Sequence, residues 1–283
     1  MAERIEVEHV SYEYMTDQRS VLAVRDVSFT VEPSEFLCVL GPSGCGKTTI
    51  MNMLAGFLDP TEGEIRIGGH RQDGRSIGRG VVFQDFAQLF PWRTARRNVE
   101  FGLEVRGVSK AERHDLAMRF LRLVRLEDFA ESYPHQLSGG MQQRVAIARA
   151  LAYNPGVLLM DEPFAALDAM TRDEMQRQLA DIWQQTRKTI VYITHNVAEA
   201  VYLADKVLVM AAHPGSVRAE IRLDIQRPRD PLSDAFVEAQ REILSHLNHR
   251  PSEPEPGRAP PPIATTRRST ASVTQSNPEG GIP

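Results

Sequence analysis

Apolar residues in the first third of the chain fall in short runs, each closed by turn residues. Segments 5–10, 27–31, 36–40, 64–67 and 81–83 read as strands, separated by breaks such as Glu32-Pro33-Ser34 and Asp59-Pro60-Thr61-Glu62-Gly63. A helix is expected from Lys47 to about Leu58. Between Arg93 and Leu151 the period becomes helical: Leu116, Phe120, Leu123 and Val124 share one face, and Met141, Val145, Ala148 and Leu151 another. Strand-like runs return at 157–160, 189–194, 206–210 and 217–221, with helices near 168–186 and 197–204 between them. Apolar strands alternating with helices imply an α/β fold whose mostly parallel sheet is covered on both faces.

The block at about 85–156 interrupts that alternation and reads as an inserted helical subdomain. Leu232, Phe236, Ile243 and Leu247 mark a closing amphipathic helix within 226–248. Together, 1–248 form one expected domain. Segment 249–283 holds 8 of the 18 prolines and no aromatic or leucine. Such a tail buries too little apolar surface to offset its ordering entropy, so disorder is expected there.

Composition narrows the function classes. Of 283 residues, 42% are hydrophobic and 25% charged, an ordinary globular balance. The net charge of −4 offers no basic field for nucleic acid or an anionic bilayer. Cys38 and Cys45 form neither a zinc spacing nor a secreted disulfide framework, which suits a reducing cytoplasm. No run approaches the roughly 18 apolar residues of a membrane helix. The N-terminus leads into a strand pattern without a signal-peptide apolar region, so any membrane role is expected to come by docking.

Gly41-Pro42-Ser43-Gly44-Cys45-Gly46-Lys47-Thr48 fits G-x-x-x-x-G-K-[ST], between an apolar strand and a helix start. Glycines let the backbone wrap close to phosphate, with amides pointing inward and the positive end of a helix behind them. Lys47 can reach the β- and γ-phosphates as a point charge, Thr48 offers a hydroxyl to Mg²⁺, and Thr49 follows in the same cradle. Cys45 is either a reactive thiol at a helix N-terminus or a loop filler. Strand 157–160 ends in Asp161-Glu162. Asp161 suits the Mg²⁺ shell, and Glu162 can polarise a water for in-line attack on the γ-phosphorus. ATP and Mg²⁺ are the implied ligands.

In Leu137-Ser138-Gly139-Gly140-Met141-Gln142-Gln143-Arg144, Ser138 reads as a helix N-cap followed by two glycines. A helix starting there presents bare amides, a hydroxyl and a positive dipole end. That makes a second anion-binding surface in a chain that already has one cradle. It is expected to meet the phosphate of another subunit's ATP.

This run resembles the signature of ABC ATPases, and the resemblance extends over about residues 4–248. It implies a P-loop NTPase (RecA-like) core with a mostly parallel sheet, an N-terminal antiparallel β subdomain and an inserted α-helical subdomain. Gln84 resembles the glutamine that senses Mg²⁺ and water and connects to transmembrane subunits. Asp168, in Ala166-Leu167-Asp168, resembles the loop that communicates across the dimer. His195 resembles the switch histidine that contacts the γ-phosphate. Tyr14 matches the aromatic position that stacks on adenine, Tyr12 being the other register. Asn196 departs from the pattern, which commonly has an acidic residue there. Lys47, Gln84, Glu162 and His195 are thus the candidate catalytic residues.

Phe90-Pro91-Trp92, Phe101-Gly102-Leu103-Glu104, Phe164-Ala165-Ala166-Leu167-Asp168 and Arg227-Pro228-Arg229-Asp230 resemble the nitrate/sulfonate/taurine importer ATPases. The resemblance implies a head-to-tail homodimer enclosing two ATP at the cytoplasmic face of the inner membrane. It would drive import of a small anion through transmembrane permease subunits, fed indirectly by a solute-binding protein. Phe86, Leu89, Phe90 and Trp92 are the expected docking surface, with packing inside the helical subdomain as the other reading. A soluble ABC-type ATPase acting on a non-transport partner is the rival. It usually brings long coiled coils or two fused ATPase units, neither of which is seen, and the charge balance argues against nucleic acid. A P-loop kinase would leave 137–144 unexplained.

Overall fold

The structure is a computed structural model that describes residues 1–15, 19–72, 78–84 and 88–248. β1 (Ile5–Met15) and β2 (Ser20–Val31) pair antiparallel, and β3 (Phe36–Leu40) then leaves for a second sheet. α1 (Lys47–Ala55) follows, and β4 (Glu62–Ile67) and β5 (His70–Arg71) return to the first sheet, in the order β2-β1-β4-β5. After β6 (Arg79–Val82) come three helices: α2 (Ala95–Val105), α3 (Lys110–Leu123) and α4 (Gly139–Ala152). The alternating half runs β7 (Val157–Asp161), α5 (Ala169–Thr186), β8 (Thr189–Thr194), α6 (Val197–Leu203) and β9 (Lys206–Ala211). β10 (Ser216–Arg222) and α7 (Asp234–Asn248) close the described chain. The second sheet has the order β10-β9-β3-β8-β7-β6, parallel except for β10.

Strand alternation splits the core into two layers. Phe36, Cys38, Leu40, Leu158, Met160, Ile190 and Tyr192 face α2–α6, whereas Leu37, Val39, Leu159, Val191 and Ile193 face α1 and the antiparallel sheet. Every residue of β3 and β8 is buried, as a sheet covered on both sides requires. Among the described residues, no helix is long and apolar enough to cross a membrane.

Four details differ from the sequence expectations. β1 runs on to Met15, because β2 starts at Ser20 and pairs with it along its length; this carries Tyr14 toward the α1 end of the core. α1 stops at Ala55, where Gly56 takes a left-handed C-cap conformation at φ 75°. On α3 the deepest residues are Ala117 and Leu121, with Val124 buried just past its end, and Leu116, Phe120 and Leu123 pack partly buried beside them. The closing helix begins only at Asp234, and Leu232 before it is exposed. The segment preceding it carries Arg227 and Arg229 against the C-terminal end of α6 instead. Arg229 donates to the carbonyls of Val201 and Ala204, and Arg227 to that of Leu203, so both cap backbone acceptors the helix leaves unpaired. The tail expected at 249–283 lies outside the described residues.

Candidate functional site

Parallel register brings the chemistry to one edge of the sheet. Leu40 lies opposite Thr194, and Asp161 opposite Ile193, so Gly41, His195 and Glu162 leave their strands side by side. Val82 lies opposite Met160, which brings exposed Gln84 off the sheet at the level of Glu162. The C-terminal ends of parallel strands are where such folds bind ligands.

The 41–48 loop is built for a group of high negative charge. Gly46 holds φ 85°, and a Cβ there would meet Val24 Cγ2 at 2.7 Å; the loop therefore follows a path closed to other residues. Gly46 is also the N-cap of α1 and has no side chain to bond the first amides, which leaves them as donors toward the loop. Lys47 is buried, its Nζ donating to the carbonyls of Gly41 (2.7 Å) and Pro42 (3.0 Å), and is thus preorganised over the loop. Cys45 is fully buried, and burial pushes its thiol up despite Lys47 nearby, which favours the loop-filler reading over the reactive thiol.

A cavity of about 570 Å³ adjoins the loop, with Tyr14, Ser43, Gly44, Lys47, Thr49 and Glu162 among its walls. The Tyr14 hydroxyl is 3.3 Å from Thr49 Oγ1, and its ring packs edge-on against Tyr12 at 4.8 Å. Tyr14 is the tyrosine that lines the cavity.

Thr48 Oγ1 donates to Asp161 Oδ2 at 3.4 Å across the loop. A hydroxyl and a carboxylate at this spot are the hard oxygen donors that Mg²⁺ takes. Burial, and next the charge of Glu162, raise the Asp161 pKa above its ordinary value. A cation held at this carboxylate would offset that cost. Glu162 sits at φ 41°, a strained conformation for a non-glycine residue, with its amide bonded to the Ile193 carbonyl at 3.0 Å. This turn aims its carboxylate at His195, whose Nδ1 lies 2.9 Å from Glu162 Oε2.

Asn196, the departure from the family pattern, is the N-cap of α6. Its Oδ1 accepts from the amides of Ala198 (2.9 Å) and Glu199 (3.3 Å), so the amide does the work a carboxylate would do there. Asp168 caps α5 in the same way, accepting from the Thr171 amide at 3.1 Å; hydrogen bonding from the Thr171 side chain, and next from its amide, holds the carboxyl below the usual range.

Ser138 caps α4, with Oγ accepting from the Met141 amide at 3.3 Å, an arrangement that leaves the hydroxyl proton able to donate elsewhere. Ser138 is exposed and does not line the cavity at the 41–48 loop. Gly140 has a reason the sequence did not reveal. A Cβ there would meet Thr171 Cγ2 at 2.9 Å, so the start of α4 abuts the first turn of α5.

The expected docking cluster divides. Leu89 is core and Trp92 is exposed, while Phe90 packs edge-on against Phe101 at 4.6 Å; Phe86 lies outside the described residues. Sequence reasoning missed Gln88 and Gln143. Gln88 Nε2 donates to the Phe83 carbonyl at 3.0 Å and to Gln143 Oε1 at 3.3 Å, tying α4 to the strand end before Gln84. It also missed Glu199, a buried carboxylate behind His195 whose only sequence signal was its place on the inward face of a short helix.

Residues 24–165 match the family model described as ABC transporter. An uncharacterised ABC transporter ATP-binding protein of Methanocaldococcus jannaschii is 48% identical over 247 residues, covering 87% of this chain and 92% of the relative. A taurine import ATP-binding protein of Roseobacter denitrificans is 47% identical (83% and 85% covered), and a nitrate import ATP-binding protein of Synechocystis 43% (84% and 89%). A solved ATP-binding cassette, dimeric in a post-hydrolysis state with ADP and phosphate, superposes with a TM-score of 0.69 at 34% identity over 78% of this chain and all of that one. With this family match and relatives of such identity along most of its length, the chain belongs to the ATP-binding subunits of ABC transporters and is an ATPase.

Proposed function

We propose that the chain works as a head-to-tail homodimer that couples ATP hydrolysis to import of a small anion through separate membrane-spanning subunits. The observation that carries the reading is the Glu162–His195 pair, held 2.9 Å apart beside the 41–48 loop. Lys47 and the amides of 43–49 hold the β- and γ-phosphates, and Tyr14 stacks on adenine. Glu162 takes the proton of the attacking water, while His195 fixes the carboxylate and reaches the γ-phosphate. Thr48, Asp161 and Gln84 would hold Mg²⁺, which when bound neutralises charge on the phosphate oxygens. Ser138, Gly139 and Gly140 of one subunit complete the site of the other, donating to its γ-phosphate, and Asp168 carries the message between the two.

The membrane subunits dock on the groove of about 480 Å³ between β6 and α2, lined by Val81, Gln88, Phe90, Phe101 and Arg149, beside exposed Trp92. Gln88 and Gln143 join this groove to the signature helix α4, so a docked partner senses closure of the dimer. The importer relatives support a place at the cytoplasmic face of the cell membrane, a small anion such as nitrate, a sulfonate or taurine, and an indirect link to a solute-binding protein. Replacing Glu162 by Gln tests the core of this reading. Turnover should fall by about a hundredfold or more while ATP binding persists; undiminished hydrolysis would remove Glu162 from the role of base.

A further inference from the structure

The carboxylate of Glu199 is buried at 5% exposure, and it is held by neutral donors, with Arg172 as the positive charge acting on it. Three elements meet on it. Thr194 Oγ1, at the end of β8, donates to Oε2 while itself accepting from the Asn196 amide at 3.0 Å. Gln176 Nε2, from α5, donates to Oε1 at 3.1 Å. The Glu199 amide in turn donates to Asn196 Oδ1 at 3.3 Å. His195 lies between Thr194 and Asn196, so the residues on both its sides are fastened to this carboxylate.

The α5 end of the contact is equally specific. Arg172 and Gln176 are four residues apart and share one face of the helix. Arg172 donates to the carbonyls of Leu167 (2.6 Å) and Phe164 (3.3 Å) and so holds the 164–168 loop that leads to Asp168. One helical face therefore grips the loop after Glu162 with one residue and the switch segment with the next turn. A buried carboxylate is costly unless its acceptors are all used, and a structural core would be served as well by an apolar residue. What a satisfied polar contact adds is a fixed distance.

We propose that Glu199 and Gln176 form a clamp that sets His195 against Glu162 and ties its position to the 164–168 loop. Both are positioning residues: neither faces the nucleotide cavity. The proposal rests on the role of His195 given above. A movement of that loop would be transmitted by α5 to His195 as a rigid shift, so hydrolysis in one site depends on the placement of Asp168.

The test is steady-state hydrolysis by the full chain carrying Glu199→Gln, Gln176→Glu, or both. Glu199→Gln keeps shape and volume, so folding is preserved, and melting curves verify it. Gln176→Glu sets two carboxylates against each other and should lower kcat by about tenfold; Glu199→Gln should lower it less, because the Gln176 amide can turn and accept from it, and KM for ATP should stay within about twofold in both, since Lys47 and the loop amides carry most of the binding. The exchanged pair restores one donor and one acceptor across the contact and should recover most of the lost kcat. A structural role alone would give no such rescue. The clamp is overturned if Gln176→Glu has wild-type kcat, if KM rises while kcat holds, or if the exchanged pair is no better than Gln176→Glu alone. Glu162→Gln, measured alongside, separates the two claims. If it turns over normally, the base assignment fails; if it is inactive and Gln176→Glu is normal, only the clamp fails.

Discussion

Thr48 Oγ1 donates to Asp161 Oδ2 across the mouth of the phosphate loop, joining the first turn of α1 to the end of β7. The two residues are 113 positions apart in sequence and meet because β3 and β7 flank β8 in one parallel sheet. Asp161 is held there at a cost, since burial and the neighbouring Glu162 both oppose its ionisation.

That cost has a definite sign. A carboxyl whose pKa is raised by folding binds its proton more tightly in the native state than in the unfolded chain. Stability is therefore lost as pH rises through the ordinary aspartate range toward the raised value, and the loss persists above it. Asp161→Asn removes the charge and keeps the Thr48 contact. The variant should melt higher than the wild type near neutral pH, and the difference should shrink toward zero at pH of about 3, below the ordinary aspartate pKa. Thermal melts across that range without nucleotide read the effect, and hydrolysis by the same variant should be lost.

Tyr14 presents a separable pair of contacts. Its ring faces the cavity and its hydroxyl meets Thr49. If stacking on adenine is what the ring supplies, Tyr14→Phe should hold KM for ATP within about twofold, and Tyr14→Ala should raise it by about tenfold. Titration with a fluorescent ATP analogue checks the order of the two.

Arg229 is a structural counterpart to the loop's catalytic charges. Four hydrogen bonds take its guanidinium to the carbonyls of Ile225, Val201, Ala204 and Leu223. Burial, and next Arg227, lower its pKa to about 10, still well above neutral, so the charge stays. Arg229→Met orphans buried carbonyls at the end of α6 and should destabilise the fold by about 2–4 kcal/mol in urea unfolding. Arg227→Met should cost less, because the Arg227 side chain is more exposed.

The fold was legible where the physics is local. The phosphate loop, the apolar strand ending in Asp161-Glu162 and the Ser138 cap each announce themselves within a few residues, since helix starts and strand ends need particular residue types. The class of the sheet followed from apolar strands alternating with helices. What could not be read were contacts between distant segments. Tyr14 depends on how far β1 pairs with β2, Gly140 on the approach of Thr171, and Glu199 on a glutamine in another helix. The Arg227-Pro228-Arg229-Asp230 run was visible as a motif, yet its partners are carbonyls of α6, which no sequence pattern names. The end of α7 was readable from its periodicity and its beginning was not, because Leu232 fits the apolar spacing but faces solvent.

The central claim is that Ser138 of one chain and the phosphate loop of another close on the same nucleotide. It is tested most directly by crosslinking two forms of the Glu162→Gln chain, one carrying Ser138→Cys and the other Ser43→Cys. The native Cys38 and Cys45 are both buried and add little background. With a short bismaleimide, the mixture should give a covalent dimer joining the two forms in the presence of ATP and little without it. A mixture that stays monomeric with ATP bound would contradict the account.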